Sequence, residues 1–191
     1  MPADTYLAQV GSQQITLPII PVSDDLSIAL MMVIDHGVRF AETAGRELAE
    51  HFADAGVDVV VAPATLGIPV AIEVTRALGL DDYVILQKTR KVHLGDALEE
   101  PVHAITSTTG AALLLDRARL SAVAGKRVLF VDDVISSGSS SGAALRLLER
   151  AGAEIVGIGA LLAEGESWPA ALVPYVDRIA VLGRIPVFPH A

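Results

Sequence analysis

The chain has 191 residues, a hydrophobic fraction of 52% and a formal net charge of −9 at pH 7. This length predicts one domain, residues 1–191, with a substantial core. The acidic balance argues against nucleic acid as the main partner, because a duplex-binding protein neutralises phosphates with Lys and Arg. No apolar run approaches the ~20 residues that a membrane span needs, no signal peptide is expected at the N-terminus, and the absence of cysteine excludes a disulfide framework. We therefore expect a cytoplasmic protein with neither a membrane nor a nucleic-acid partner.

The first 37 residues are predicted to be extended or irregular, with one short helix. Pro18 and Pro21 argue against a central strand and favour an edge strand or an extended arm. The polar residues 23–25 can cap a helix that runs from Leu26 towards Ile34.

A helix, a strand, a loop and a second helix are predicted next. Residues 38–55 have helical periodicity, and residues 57–62 read as a buried strand. The loop at 63–69 follows that strand, and a helix continues to about Gly79. Because ligands of α/β sheets bind beyond the carboxyl ends of the strands, this loop is a candidate binding loop, with a simple connecting turn as the alternative.

A third strand, at 83–87, leads into a basic patch in an otherwise acidic chain. Its cations and potential cations are Lys88, Arg90, Lys91 and His93. At the end of a strand such a patch suits a pyrophosphate, and a solvated basic loop is the alternative. Residues 94–109 are polar, irregular and long, which is typical of a functional lid. A helix is then predicted from 111 to 120.

The most informative stretch is residues 128–142. Val128–Val131 is an unbroken apolar run, as in a strand buried on both faces, and it ends at Asp132 and Asp133. A loop of serines and glycine follows, and a helix is predicted from Gly142 onward. Such a loop exposes backbone N–H groups and hydroxyls beside the positive end of a helix dipole, so it can cradle a phosphate.

The two carboxylates call for a different ligand from the loop. They would repel a phosphate, but they suit sugar hydroxyls, or a metal ion that links them to a phosphate. The combination predicts a phosphorylated sugar with Mg²⁺ nearby, and an ordinary strand and serine-rich turn is the alternative. A nucleotide-binding P-loop is excluded because no Gly-Lys-Ser/Thr closes the loop, and a Rossmann fingerprint fails because its glycines are misplaced.

Strands and helices alternate over about 57–162, which predicts an α/β fold with a mainly parallel, twisted sheet flanked by helices. Another parallel strand is predicted at 154–162. A last apolar strand is predicted at 179–182.

Residues 128–142 resemble the 5-phosphoribosyl-1-pyrophosphate (PRPP) signature of type I phosphoribosyltransferases. The shared pattern is four apolar residues, two acids, two apolar residues and a Thr/Ser-Gly-Gly-Thr-like loop. Ser139 stands where the family usually has its second glycine, and Ser140 where it usually has threonine. The loop at 63–68, the basic patch and the signature occur in the family's order, so the resemblance covers most of the chain.

Length and the terminal segments look most like adenine- and xanthine-type purine phosphoribosyltransferases. The resemblance implies a core at about 38–163 and a small hood over the base, built from about 1–37 and 164–191. It also implies transfer of ribosyl-5-phosphate from PRPP to a purine, with adenine as the first candidate, release of pyrophosphate and a role in nucleotide salvage. A homodimer is expected because relatives commonly dimerise.

The resemblance also assigns roles to residues. Asp132 and Asp133 would bind the ribose hydroxyls and Mg²⁺ and steady the developing cation, Lys88 would hold pyrophosphate, and Asp133 is the best candidate for a general base. The other expected binding residues are Ser136, Ser137, Gly138, Ser139 and Ser140 for the 5-phosphate, Ala64, Thr65, Leu66, Gly67, Arg90 and Lys91 for pyrophosphate, and Trp168 for stacking on the purine. Many relatives carry Arg or Lys where this chain has Thr65 and Leu66, which places more of the binding on backbone amides. Trp168 has a packing role as its alternative.

Two rival functions remain open. One is a PRPP-sensing regulator that keeps the ligand site without catalysis, which the missing cation at 65–66 favours and the absence of a DNA-binding module opposes. The other is a receiver-like phosphoacceptor domain. It would need a separate acceptor aspartate and a later strand-end lysine, neither of which is evident.

Overall fold

The computed structural model describes residues 4–90, 92–94, 96–102 and 111–189 of the chain. In chain order the strands are β1 (Thr5–Val10), β2 (Gln13–Ser23), β3 (Leu26–Ala29), β4 (Val59–Pro63), β5 (Tyr83–Leu86), β6 (Leu98–Pro101), β7 (Ala112–Leu115), β8 (Arg127–Ile135), β9 (Glu154–Glu164), β10 (Ile179–Val181), β11 (Arg184–Ile185) and β12 (Val187–Pro189). The α-helices are α1 (Val38–Glu50), α2 (Gly67–Ala77) and α3 (Ser139–Arg150). Short 3₁₀ segments cover Val33–His36, Val92–Leu94, Arg117–Ala122 and Ala170–Arg178.

A parallel sheet forms the centre of the molecule. Its strand order is β10-β9-β8-β4-β5, every neighbouring pair is parallel, and β11 also pairs in parallel with β9. The predicted α/β fold with a mainly parallel sheet is therefore confirmed. Because all of these strands point the same way, the loops that follow them meet at one edge of the sheet, which we call the carboxyl edge.

The two faces of this sheet are covered by different helices. Leu129 and Val131 of β8 pack in the core with α1 and α2, whereas Val128 and Phe130 pack in the core with α3. All four side chains are 0% exposed. The unbroken apolar run that precedes the acidic pair is thus a strand buried on both faces, as predicted.

The terminal segments form a separate antiparallel sheet in the order β1-β2-β3-β12, which is the predicted hood. The prediction of an edge strand at Pro18 and Pro21 is wrong, since β2 lies inside this sheet. The prolines are tolerated because the neighbouring strands end beside them. The Pro18 carbonyl accepts a hydrogen bond from the Leu30 N–H, just beyond β3, at 2.9 Å. Pro21 lies beyond the last pair of β1 and β2, which joins Thr5 to Pro18.

Two predicted helices are strands in the structure. The segment from Leu26 towards Ile34 forms β3, which pairs with β2 and β12, and then a 3₁₀ turn. The segment 111–120 forms β7 and a 3₁₀ turn, and Leu113 and Leu115 of β7 are 0% exposed. In both places strand pairing and burial override a helical propensity that is weak by comparison.

Part of the predicted lid forms a strand. β6 lies inside the segment 94–109 and pairs with β7 as an antiparallel hairpin, while residues 103–110 lie outside the described part of the chain. The hairpin joins the main sheet through Gln87 and Leu114, whose backbone groups exchange hydrogen bonds of 2.9 and 2.8 Å. None of the described helices is long and apolar enough to cross a membrane.

Glu100 of β6 fastens this hairpin to α3. It is 9% exposed and accepts hydrogen bonds from Arg146 Nε at 2.7 Å and Arg150 Nη1 at 2.6 Å. The bond from Arg146, with that from Arg150 and both guanidinium charges, lowers the pKa of Glu100 despite its burial. A lowered pKa means that the ionised carboxylate stabilises the fold above the unfolded-state pKa, and that this stabilisation is lost as pH falls through the folded-state value.

We therefore expect Glu100→Gln to lower the free energy of unfolding at pH 7 by about 1 kcal/mol, through loss of charge-assisted hydrogen bonds. The difference from wild type should shrink when pH falls below about 4.5, where Glu protonates in the unfolded chain. Chemical denaturation at a series of pH values measures both effects. The control is Glu99→Gln, because Glu99 and its partner Arg90 are about half exposed and such pairs contribute little. An equal loss in the two variants would contradict the anchoring role of Glu100.

Candidate active site

The loop after β4 and the strand β8 meet at the carboxyl edge. An added Cβ at Gly67 would lie 3.2 Å from Asp132 Oδ1 and 3.1 Å from both Ala62 Cβ and Pro63 Cδ. A residue larger than glycine would therefore push the start of α2 away from the acidic pair. Two segments singled out in the sequence, 64–67 and 132–133, are in contact.

The backbone of the loop after β4 has free donors. Its Ala64–Thr65 peptide bond is cis. The Ala64 N–H donates to the Leu86 carbonyl at 2.9 Å and the Ile68 N–H donates to the Thr65 carbonyl at 3.2 Å. Among the described residues, the N–H groups of Thr65 and Leu66 have no partner. They can donate to an anion, in agreement with a loop that has no cationic side chain.

The acidic pair lies within β8 rather than at its end. β8 continues to Ile135, and Asp132 pairs with Ala160 of β9. The prediction that the strand stops at Val131 is therefore wrong, because neighbouring β9 continues the ladder to Ile135. Asp132 is 7% exposed, and its Oδ1 accepts a hydrogen bond from the Asp133 N–H at 2.9 Å. Asp133 is half-buried.

Burial is the main reason that the pKa of Asp132 lies well above its ordinary value. The neighbouring Asp133 raises it further by charge and by a side-chain hydrogen bond. Its backbone N–H and the positive charge of Lys88 act in the opposite direction. Lys88 is exposed and follows β5, so the basic patch reaches the acidic pair with at least this one cation.

Arg90 of the basic patch contacts the hairpin instead. Arg90 forms an ion pair with Glu99 of the hairpin at 2.6 Å. Lys91 lies outside the described residues. Only Lys88 is thus brought to the acidic pair by the described part of the structure.

The serine loop turns tightly into α3. Gly138 has φ +75°, a left-handed conformation that side chains rarely adopt, and it precedes the first residue of α3. Ser139 and Ser140 lie in the first turn of that helix rather than in the loop, which shifts its predicted start at Gly142. The Ser137 and Ser139 hydroxyls are 3.0 Å apart. Ser140 Oγ is buried and has no hydrogen-bond partner among the described residues.

The segment before the last 3₁₀ turn covers the serine loop from one side. An added Cβ at Gly138 would lie 2.4 Å from Pro169 Cβ. A cavity of about 210 Å³ remains beside this contact, and its lining residues are Ser137, Gly138, Ser139, Arg146, Ala170 and Ala171. Backbone N–H groups at a helix start, hydroxyls and a guanidinium make this cavity suitable for an anion.

Glu164 is a further candidate site residue that the sequence reasoning missed. It ends β9 beside the acidic strand, and its carboxylate accepts a hydrogen bond from the Ser136 hydroxyl. The signal was available, because an acid two residues beyond the parallel strand predicted at 154–162 is expected near the carboxyl edge.

Trp168 lies beside a cation rather than in open space. The guanidinium of Arg184 is 4.3 Å from the centroid of its ring, and the ring packs against the core that contains α3. These contacts favour the packing role that was the alternative to purine stacking.

The acidic pair fits Mg²⁺ as a partial set of ligands. Among the described residues, no group of three or more His, Asp or Glu side chains could hold a metal. Mg²⁺, however, is commonly held by one or two carboxylates together with substrate phosphates. A cation beside Asp132 and Asp133 would also relieve the repulsion that raises the pKa of Asp132.

Comparison with known proteins identifies the class. The family model of the phosphoribosyl transferase domain matches residues 34–178, which is more than half of the chain. The chain therefore belongs to the phosphoribosyltransferases, and both the fold and the resemblance inferred from the sequence are confirmed.

Three similar proteins are each named for transfer to a purine base. Xanthine phosphoribosyltransferase from Laribacter hongkongensis is 29% identical over 129 residues, which are 67% of each chain. Hypoxanthine/guanine phosphoribosyltransferase from Methanococcus voltae is 34% identical over 113 residues, which are 59% of this chain and 56% of that one. The crystal structure of adenine phosphoribosyltransferase from Thermoanaerobacter pseudethanolicus superposes with a TM-score of 0.74 at 19% identity, covering 88% of this chain and 95% of that chain. This last likeness shows the fold, and the three relatives differ in their base.

Proposed function

We propose that the protein transfers ribosyl-5-phosphate from PRPP to a nitrogen of a purine base and releases pyrophosphate, as a step of nucleotide salvage in the cytoplasm. The observation that carries the proposal is the contact between the loop at 64–67 and the acidic pair, with the serine loop following the same strand. Adenine is the first candidate base. A homodimer is the proposed assembly.

The acidic pair serves the ribose in this proposal. Departure of pyrophosphate leaves an oxocarbenium-like carbon, so catalysis consists largely of fixed charges and exclusion of water. Asp132 and Asp133 accept hydrogen bonds from the ribose hydroxyls and steady that positive charge. Asp133, which is half-buried, is the better placed of the two to exchange a proton with solvent or with the base.

Each of the two loops binds a different anionic group of PRPP in this proposal. The free N–H groups of Thr65 and Leu66, together with Lys88, hold the pyrophosphate. Residues 136–140 hold the 5-phosphate with hydroxyls and with N–H groups at the start of α3. Mg²⁺ would be held by Asp132 and Asp133 together with substrate oxygens, where it would neutralise the leaving pyrophosphate.

Pyrophosphate release tests this proposal. The purified chain is incubated with PRPP and Mg²⁺, and adenine, hypoxanthine, guanine and xanthine are added in separate reactions. We expect release with one or two of the bases and none without a base. The matched control is the Asp132→Asn/Asp133→Asn double variant, which should release none.

Absence of release with every purine base, under conditions where the chain binds PRPP, would contradict the purine transferase and favour the PRPP-sensing regulator. Release with xanthine but not adenine would correct the first candidate base and leave the reaction unchanged.

A further inference from the structure

Arg146 connects the hairpin anchor to the cavity at the serine loop. It lies near the middle of α3, and its Nε donates to buried Glu100 at 2.7 Å. Side chains of a helix point towards its N-terminus, so the guanidinium lies over the preceding turn. Its Nη1 would be 3.4 Å from a Cβ added at Gly142, in the first turn of α3.

Arg146 and Arg150 belong to one charged cluster with Glu100 and Glu149. Two guanidiniums, those of Arg146 and Arg150, share the single carboxylate of Glu100. Glu149, the nearest other acid on the helix, accepts a hydrogen bond from the Tyr175 hydroxyl. Glu149 keeps its negative charge in that bond, and it lines a second pocket together with Glu100, Arg146 and Arg150.

Of the two arginines, only Arg146 is among the residues that line the cavity at the serine loop. Arg146 lines the cavity of about 210 Å³ together with Ser137, Gly138 and Ser139. Arg150 lies one turn further from the serine loop and donates to the Glu99 carbonyl at 2.9 Å. Among the described residues, Arg146 Nη1 has no hydrogen-bond partner, whereas Arg150 Nη1 has two acceptors.

We propose that Arg146 is a specificity residue for the phosphate monoester of the substrate, and that Glu100 holds its guanidinium in place. The inference rests on the proposed function, and it adds a side-chain cation to a phosphate loop that otherwise offers hydroxyls and backbone N–H groups. A guanidinium prefers a doubly charged phosphate to a neutral hydroxyl, so Arg146 would select sugars that carry the terminal phosphate.

The test compares binding of ribose 5-phosphate and kinetics with PRPP in matched arginine variants. Arg146→Gln should weaken ribose 5-phosphate binding about 10-fold in titration calorimetry, which corresponds to about 1.4 kcal/mol. It should raise the KM for PRPP by a similar factor and change kcat by less. Arg150→Gln removes the same kind of partner from Glu100 but should leave both quantities within about twofold of wild type.

Thermal melts of the two variants separate recognition from folding. Equal loss of affinity in Arg146→Gln and Arg150→Gln would overturn the inference, because the residues would then act only through the hairpin anchor. If the wild type turns over PRPP and Arg146→Gln binds ribose 5-phosphate with unchanged affinity, the inference is overturned but the proposed function is not. A wild-type protein that binds neither PRPP nor ribose 5-phosphate would overturn the proposed function as well. Arg146→Lys should recover part of the lost affinity, since the charge remains and the planar geometry does not.

Discussion

Asp132→Asn is expected to reduce PRPP-dependent pyrophosphate release by about 100- to 1000-fold, the range that follows removal of one fixed electrostatic group at a reacting centre. The same substitution is expected to raise the melting temperature of the metal-free protein. Burial and the charge of Asp133 both disfavour the ionised form of Asp132. Asparagine keeps the shape and the acceptor for the Asp133 N–H while removing the charge. A gain in stability with a loss of activity is the usual sign of a residue that serves function at the expense of the fold.

Asp133→Asn is the matched control for this experiment. Asp133 is less buried than Asp132, so its substitution should change the melting temperature less. Both quantities can be measured on the same preparations, by a coupled pyrophosphate assay and by thermal denaturation in the presence of a chelator. Asp132→Asn with near wild-type activity, or with a clearly lowered melting temperature, would show that the carboxylate is structural.

Gly138→Ala is expected to raise the KM for PRPP by at least about 10-fold and to destabilise the protein by about 2 kcal/mol or more. Alanine at φ +75° costs about 1–2 kcal/mol in backbone conformation. Its Cβ would also lie 2.4 Å from Pro169 Cβ, so the serine loop or the segment at 169–171 must move. Steady-state kinetics and chemical denaturation measure the two effects.

Gly125→Ala isolates the contribution of the contact. Gly125 has φ +70°, and an added Cβ there would meet nothing within 4 Å. This variant should lose stability only through the backbone conformation, and it should keep the KM of wild type. Adding Pro169→Gly to Gly138→Ala removes the clashing atom and should recover part of the stability. A KM in Gly138→Ala equal to that of Gly125→Ala would mean that the serine loop does not hold substrate.

The central sheet could be predicted because its signal is local. Each parallel strand is a short apolar run between turn residues, and Val128–Val131 is buried on both faces as such a run requires. The segments at Leu26 and at 111–120 could not be predicted in this way. Their strand state depends on partners distant in sequence, such as β12 for β3, and no local pattern reveals such a partner.

The candidate site, like the fold, could be predicted from the sequence only in part. Asp132, the serine loop and the loop at 64–67 could be identified from residue types after strands, and the contact of Gly67 with Asp132 follows from the parallel order. The pairing of Arg90 with Glu99 could not be foreseen, because the hairpin was predicted to be an irregular lid. The approach of Pro169 to Gly138 and the placement of Arg146 over the first turn of α3 likewise depend on packing between segments.

Binding of PRPP in the presence of Mg²⁺, measured by titration calorimetry on the intact chain, tests most directly whether the carboxyl edge is a PRPP site. We expect saturable binding to wild type, and a loss of about 100-fold or more in affinity in the Asp132→Asn/Asp133→Asn double variant, because both ribose contacts and the cation ligands are removed. Circular dichroism of the double variant establishes that it is folded. Failure of the folded wild type to bind PRPP, or equal affinity in the two proteins, would contradict the assignment of this site.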